Sequence, residues 1–133
     1  MHKETITYED FDGVERTEEF RFSITKSELF TMQNEHVGGL AEYLQKIMDA
    51  KDTDKMLKFF NWILLESYGE KTPDGRAFMK SDEIKQRFKC SIAYDVIYNK
   101  MLNDPDYAMK FLEETLPKVE QNQQVKNIPP MKR

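Results

Sequence analysis

The acidic residues near the start of the chain come closest to a metal-binding motif. Four residues match positions 3, 5, 6 and 12 of the EF-hand calcium loop: Asp10, Asp12, Gly13 and Glu19. Position 1 of that loop would be Tyr8, which has no carboxylate, and the flanking residues favour strands over helices. We therefore interpret this segment as a turn followed by a solvated acidic strand, and we predict no metal site.

The residues that could act as a nucleophile and a base are few. The chain has a single cysteine, Cys90, and two histidines, His2 and His36. Nothing in the spacing of Cys90 and His36 favours a catalytic pair, and no cysteine or histidine stands at zinc-ligand spacing. No glycine-rich loop follows a predicted strand, so phosphate binding has no support. We predict no catalytic residue, no metal and no cofactor, and therefore a protein that is not an enzyme.

The charge of the chain limits the classes of partner that it can bind. The net charge is −4, and residues 1–24 hold seven acidic side chains against three basic ones. Residues 118–133 reverse this balance with four basic side chains and one acidic one. Phosphate contacts need clustered lysine and arginine, and the basic end of the chain is too sparse to supply them. We therefore expect no nucleic-acid partner.

The apolar stretches of the chain indicate its compartment. Its first residues contain no apolar segment typical of a secretion signal, and the longest apolar run, residues 62–65, is too short to cross a bilayer. A lone cysteine fits a reducing compartment, where we expect Cys90 to be a small buried residue. The sequence predicts a cytoplasmic protein that is not secreted and has no membrane partner.

The first 24 residues predict a β-hairpin. Residues 5–11 and 14–24 are rich in β-branched and aromatic side chains and flank Asp12-Gly13, a strong turn signal. A two-residue turn would pair Ile6 with Glu19 and split the apolar side chains between both faces. A loop with an odd number of residues places Ile6 and Tyr8 on the same face of the hairpin as the phenylalanines of the second strand. We therefore expect a type I turn with a bulge, in which Gly13 has a positive φ.

Helical signals follow the hairpin. Residues 25–28 (TKSE) form a capping box, which predicts a helix from residue 26, and the glycines at 38 and 39 interrupt it. A clean apolar stripe marks the next helix, over residues 40–48. A third helix should begin after Asp52, run to about residue 68 and stop at Gly69. Because it is apolar almost all round, we expect neighbours to cover every side of it. We predict irregular structure for residues 69–80.

The remaining helices have recognisable first residues. Ser81 can cap a short helix, a further helix should span residues 91–103, and Asp104-Pro105 should open the last one. The fold class is thus α+β, with an N-terminal antiparallel β-hairpin (residues 5–24) followed by a bundle of five to six helices (residues 26–116). We expect one domain over residues 1–117 and a disordered C-terminal tail over residues 118–133, which lacks periodicity and apolar density.

One turn within the irregular stretch is the best candidate for a partner-binding site. Residues 72–75 (TPDG) form a turn signal, and an arginine and an aromatic residue follow it. Hot-spot residues are often displayed in such loops. The candidate partner-binding residues are Pro73, Asp74, Arg76 and Phe78. The alternative is a tight connection with Phe78 packed under the body of the domain.

Several segments together resemble a family of tail assembly chaperones of long-tailed bacteriophages and prophages. They are residues 6–18 (ITYEDFDGVERTE), 20–22 (FRF), 25–29 (TKSEL), 38–42 (GGLAE) and 67–76 (SYGEKTPDGR). The resemblance covers residues 4–117, and its specificity comes from the combination of these segments in this order. Residues 118–133 match nothing in the family pattern.

The resemblance implies a function as a chaperone of tail assembly. Such a protein is absent from the virion, acts in the cytoplasm of the bacterial host and binds the long, hydrophobic tape measure protein. It keeps that protein soluble and helps to recruit the major tail protein, whose subunits polymerise around it. In such families a frameshifted, longer form often accompanies the short one. The alternative is a structural tail component retained in the virion, and self-association is open under either interpretation.

Overall fold

The computed structural model describes residues 1–33 and 39–117. The predicted tail (residues 118–133), His36 and the first glycine of the 38–39 pair lie outside the described residues. Within them, an antiparallel hairpin leads into six helices, which confirms the predicted α+β fold class. A second, short hairpin lies between the third and fourth helices.

The first hairpin consists of β1 (His2–Glu9) and β2 (Glu15–Phe22). Its register pairs Ile6 with Glu18 and His2 with Phe22, so the apolar side chains share one face. At the turn, the Asp10 amide donates to the Val14 carbonyl (2.9 Å) and the Gly13 amide donates to the Asp10 carbonyl (3.0 Å). Gly13 has φ 78°, which confirms the predicted bulged turn.

A second hairpin extends the sheet, and here the sequence-based expectation was wrong. Residues 68–71 and 78–79 form β3 (Tyr68–Lys71) and β4 (Phe78–Met79), and the strand order is β1-β2-β3-β4. Gly69 does not end a helix in a left-handed conformation. It lies in β3 opposite Arg21 of β2, so pairing with the distant first hairpin decides its conformation.

The six helices begin close to the predicted residues. Their bounds are α1 (Lys26–Gln33), α2 (Leu40–Asp49), α3 (Thr53–Ser67), α4 (Asp82–Lys89), α5 (Ile92–Asn103) and α6 (Pro105–Thr115). The capping box is formed: the Thr25 amide donates to the Glu28 carboxylate (2.8 Å), and the Glu28 amide donates to the Thr25 hydroxyl (3.2 Å). Asp52, Ser81, Ser91 and Asp104 cap α3, α4, α5 and α6.

The core is centred on α3, which contacts α2, α4 and α5. Phe60, Ile63 and Leu64 are buried there. However, Trp62 and other residues of this helix are only partly buried. The expectation that neighbours cover every side of α3 was therefore wrong. The expectation for Cys90 was also wrong, because this residue follows α4 at an exposed corner.

One partly buried ammonium group holds the second hairpin against the rest of the domain. Lys80 Nζ, just after β4, donates to the backbone carbonyls of Ser23 (2.8 Å) and Glu66 (3.0 Å) and to the Glu28 carboxylate (2.9 Å). The same carboxylate caps α1. These contacts join β4, β2, α1 and α3 at one point, so the second hairpin is positioned by tertiary contacts as well as by its pairing with β2.

Candidate partner-binding surface

The predicted turn is the loop between β3 and β4, and its own hydrogen bonds define its shape. The Thr72 amide donates to the Ala77 carbonyl (2.9 Å), which closes the loop. The Asp74 carboxylate accepts from the Arg76 amide (3.0 Å) and from the Thr72 hydroxyl (2.7 Å). These bonds hold the pKa of Asp74 below its usual range. Asp74 therefore has a role in the turn itself.

The four predicted binding residues differ in their exposure. Pro73, Asp74 and Arg76 are exposed in the loop, and the Arg76 guanidinium has no ion-pair partner in the described part of the chain. Phe78 is half-buried and packs on Gly69, where an added Cβ would lie 2.6 Å from Phe78 Cε2. The loop thus displays the arginine and keeps the aromatic ring against β3.

A second feature, which the sequence did not indicate, is a cleft beside the first hairpin. We call it the arm cleft. It has a volume of about 550 Å³ and is lined by Tyr8, Glu18, Glu19, Phe20, Tyr68, Glu70, Arg87, Phe88 and Ser91. These residues come from β1, β2, β3, α4 and the cap of α5. Only the pairing of the two hairpins brings them together, which is why no local motif could reveal them.

Aromatic rings form the floor of the arm cleft. The rings of Tyr68 and Phe88 are stacked, with centroids 4.1 Å apart and planes at 13°, and Phe20 lies 5.9 Å from Phe88. Burial raises the pKa of Tyr68 to about 12, so its hydroxyl stays neutral at physiological pH. The floor of the cleft is therefore aromatic and uncharged.

Three carboxylates line the cleft around this floor, and one of them has no ion-pair partner among the described residues. Glu70 binds Arg87 (2.8 Å), and Glu19 binds Arg21 (2.8 Å). Glu18 accepts only the Tyr8 hydroxyl (2.5 Å), and among the residues that the structure describes no cation lies within ion-pair distance of it. That bond raises the pKa of the Tyr8 hydroxyl. The cleft thus presents one carboxylate without an ion-pair partner next to aromatic rings.

A polar cluster surrounds the buried His2 at the start of β1, at the opposite end of the strand from Tyr8. His2 is buried; its Nδ1 lies 2.7 Å from Glu114 Oε1 and its Nε2 lies 3.0 Å from Glu4 Oε1. Tyr107 donates to Glu4 (2.8 Å) and Lys100 to its second oxygen (3.1 Å). Each of these side chains is bonded to another in the cluster. The cluster therefore joins β1 to α5 and α6.

Neither a metal-ligand cluster nor a membrane-spanning helix occurs among the residues that the structure describes. Within residues 1–33 and 39–117, no three side chains of the histidine, cysteine, aspartate or glutamate type are grouped so as to hold a metal ion. In the same part of the chain, no helix combines the length and apolar character needed to cross a membrane. In the acidic turn, the Asp10 carboxylate accepts from the backbone amides of Asp12 and Val14 and from the Arg16 guanidinium.

Comparison with known proteins identifies the family. A protein-family model described as phage tail assembly chaperone matches residues 1–130, which is almost the whole sequence. The chain belongs to this family of phage tail assembly chaperones. Comparison with curated proteins found no match, and comparison with solved structures found none either. The resemblance is thereby confirmed at the level of the family. The match extends beyond residue 117, so the expectation that the end of the chain matches nothing in the family was wrong for residues 118–130.

Proposed function

We propose that this chain binds the tape measure protein in the cytoplasm of the bacterial host. It keeps that long hydrophobic protein soluble and helps to recruit the major tail protein during assembly. The observation that carries the proposal is the family match over residues 1–130. The arm cleft and the displayed Arg76 are consistent with it, since aromatic and arginine side chains dominate protein-binding surfaces.

The chain acts by stoichiometric binding in this proposal, and the loop between β3 and β4 is one contact. Pro73 and Arg76 meet the client because they are exposed in that loop. Asp74 keeps the loop in shape through its bonds to Thr72 and Arg76. Phe78 supports the loop from below by packing on Gly69.

Co-expression with the tape measure protein tests the function. The soluble fraction of the client should rise in proportion to the amount of chaperone, and the two proteins should elute together at a fixed ratio in size-exclusion chromatography with light scattering. A client that stays insoluble at every chaperone dose, with no complex, would contradict the proposal.

A charge reversal tests the loop. Arg76→Glu should weaken client capture by roughly tenfold or more, as expected for an arginine hot spot, without changing the stability of the domain. Lys58→Glu is the matched control, because Lys58 is an exposed basic residue of α3 and not part of the loop. If Arg76→Glu captures the client as well as Lys58→Glu does, the loop is not a contact.

Analysis of purified phage particles separates a chaperone from a structural component of the tail. Mass spectrometry should find the tape measure protein and the major tail protein in the particles but not this chain. Its presence at a fixed copy number would instead support a role as a tail component retained in the virion.

A further inference from the structure

The first hairpin has an open edge next to the arm cleft. Antiparallel strands alternate between residues whose amides point to one neighbour and residues whose amides point to the other. The Ser23 amide donates to the Ser67 carbonyl (2.8 Å), and Arg21 lies opposite Gly69, so the odd-numbered residues of β2 face β3. Along β2, pairing with β3 covers only Arg21 and Phe22.

The rest of this edge has no strand beside it in the described part of the chain. Glu15, Thr17 and Glu19 direct their amides and carbonyls to the side that β3 has left, and residues 15–19 are all exposed. An unpaired strand edge is a template for one more strand. The edge is five residues long, which is enough for a short β-strand.

The arm cleft lies on one face of this same edge. Side chains alternate between the two faces of a strand, and the even-numbered Glu18 and Phe20 line the cleft. A strand added at residues 15–19 would therefore place every second side chain at the cleft. The cleft adds what the backbone edge lacks, namely a preference for particular side chains.

We propose that the open edge of β2 and the arm cleft together bind an extended, basic segment of a partner protein. The segment adds to the edge as a strand and inserts a lysine or arginine side chain beside Glu18. The inference rests on the proposed function only in taking the tape measure protein as the partner. The binding chemistry itself is a property of this surface.

Charge complementarity selects a cationic side chain. Glu18 has no cation at ion-pair distance within the described residues, whereas Glu19 and Glu70 are each paired with an arginine. The half-buried Phe20 offers apolar contact to the methylene groups of a lysine or arginine, and the neutral Tyr68 hydroxyl adds no charge to the cleft. An apolar or acidic side chain would leave Glu18 unpaired while removing it from water, which is unfavourable.

Synthetic peptides test both halves of the proposal on the full 133-residue chain. The probe is a capped hexapeptide of alternating threonine and lysine, measured by isothermal titration calorimetry. Its counterpart with glutamate in place of lysine should bind at least about tenfold more weakly, because it meets Glu18 with a like charge. Equal affinity of the two peptides would overturn the selection of a cation.

Backbone methylation tests the addition of a strand. Two further versions of the lysine peptide carry N-methyl groups on all threonines or on all lysines. Only one of these two sets points its amides at β2, so one version should lose binding and the other should retain it. Equal effects of the two methylation patterns would overturn strand addition.

A pair of variants places the binding at the cleft. Glu18→Gln should weaken the lysine peptide about tenfold, because the charge-assisted contact is lost while the amide oxygen still accepts from Tyr8. Glu15→Gln is the matched control on the same strand, with its side chain on the opposite face. Equal weakening in both variants would show general attraction to the acidic hairpin and overturn the site.

The two proposals fail in distinguishable ways. Capture of the tape measure protein that is unchanged in Glu18→Gln, together with no peptide binding, would overturn this inference and leave the proposed function intact. Selective peptide binding by a chain that does not solubilise the tape measure protein would support the inference and contradict the proposed function.

Discussion

The ring of Tyr68 lies parallel to the ring of Phe88, with centroids 4.1 Å apart. Tyr68 is the first residue after α3, and its extended backbone turns the chain from that helix into β3. Phe88 is the buried residue of α4. Their contact joins the second hairpin to the helices and also forms the floor of the arm cleft. Stability of the fold and the shape of the candidate binding surface therefore depend on the same pair of rings.

The bulged turn predicts the effect of a substitution at Gly13. A valine there should lower the free energy of unfolding by about 1–2 kcal/mol, because a β-branched residue strongly disfavours a positive φ. An added Cβ would meet nothing within 4 Å, so the cost is one of backbone conformation alone. Gly13→Asn should cost less, because asparagine tolerates the left-handed region. Urea unfolding followed by Trp62 fluorescence measures both; equal losses would contradict the prediction.

Two aromatic residues of α3 should differ in their contribution to stability. Phe60 is 1% exposed, and Phe60→Ala should cost about 3–5 kcal/mol through the lost burial and the cavity left behind. Trp62 is only partly buried, so Trp62→Ala should cost less than about 2 kcal/mol. Thermal and urea unfolding followed by circular dichroism compare them. A larger loss for Trp62 than for Phe60 would show that the buried side of α3 is wrongly assigned.

The close approach of Gly69 to Phe78 predicts a coupled pair. Gly69→Ala should destabilise the domain by about 1–3 kcal/mol, because the new methyl group would overlap the Phe78 ring. Phe78→Ala removes that ring, so the double variant should be more stable than the sum of the two single losses implies. A double-mutant cycle from urea unfolding measures the coupling. Strict additivity would mean that the ring moves aside without cost.

The polar cluster on β1 predicts a dependence of stability on acid. Burial opposes ionisation of Glu4, but bonds from Tyr107, Lys100 and His2 outweigh it and hold the pKa of Glu4 below 4.5. A carboxyl group with a lowered pKa in the folded state stabilises the protein above its unfolded-state pKa. That contribution is lost as the pH falls below about 4.5 through the lower folded-state pKa.

A substitution at this carboxyl group tests the linkage. In Glu4→Gln, the free energy of unfolding should fall less steeply between pH 4.5 and the acid limit than in the wild type. Glu9→Gln is the control on the same strand, because Glu9 is exposed. Urea unfolding across this pH range supplies the slopes. Identical slopes in the wild type and Glu4→Gln would exclude Glu4 as a source of the acid sensitivity.

Local sequence determined the elements that short-range physics controls. The spacing of the apolar residues on either side of Asp12 and Gly13 was sufficient to predict the bulged turn. Side chains alternate between the two faces of a strand, so these residues share a face only if the loop has an odd number of residues. Five of the six described helices begin at a side chain that accepts from the amide three positions later, as at Thr25 and Asp104, whereas α2, after Gly39, has no such cap and followed from its apolar stripe. The loop displaying Arg76 was also predictable, because a Pro-Asp-Gly turn is encoded by adjacent residues.

Only the tertiary structure decided how distant segments meet. The sequence predicted that Gly69 ends a helix, but its pairing with Arg21 makes it part of a strand. The prediction failed because the pairing partner lies far away in sequence. The contact of His2 with Glu114 spans 112 positions, and the arm cleft draws on five separate elements. A residue's own neighbours carry no information about such contacts. Burial and cross-strand pairing supply it, and both exist only once the whole chain has folded.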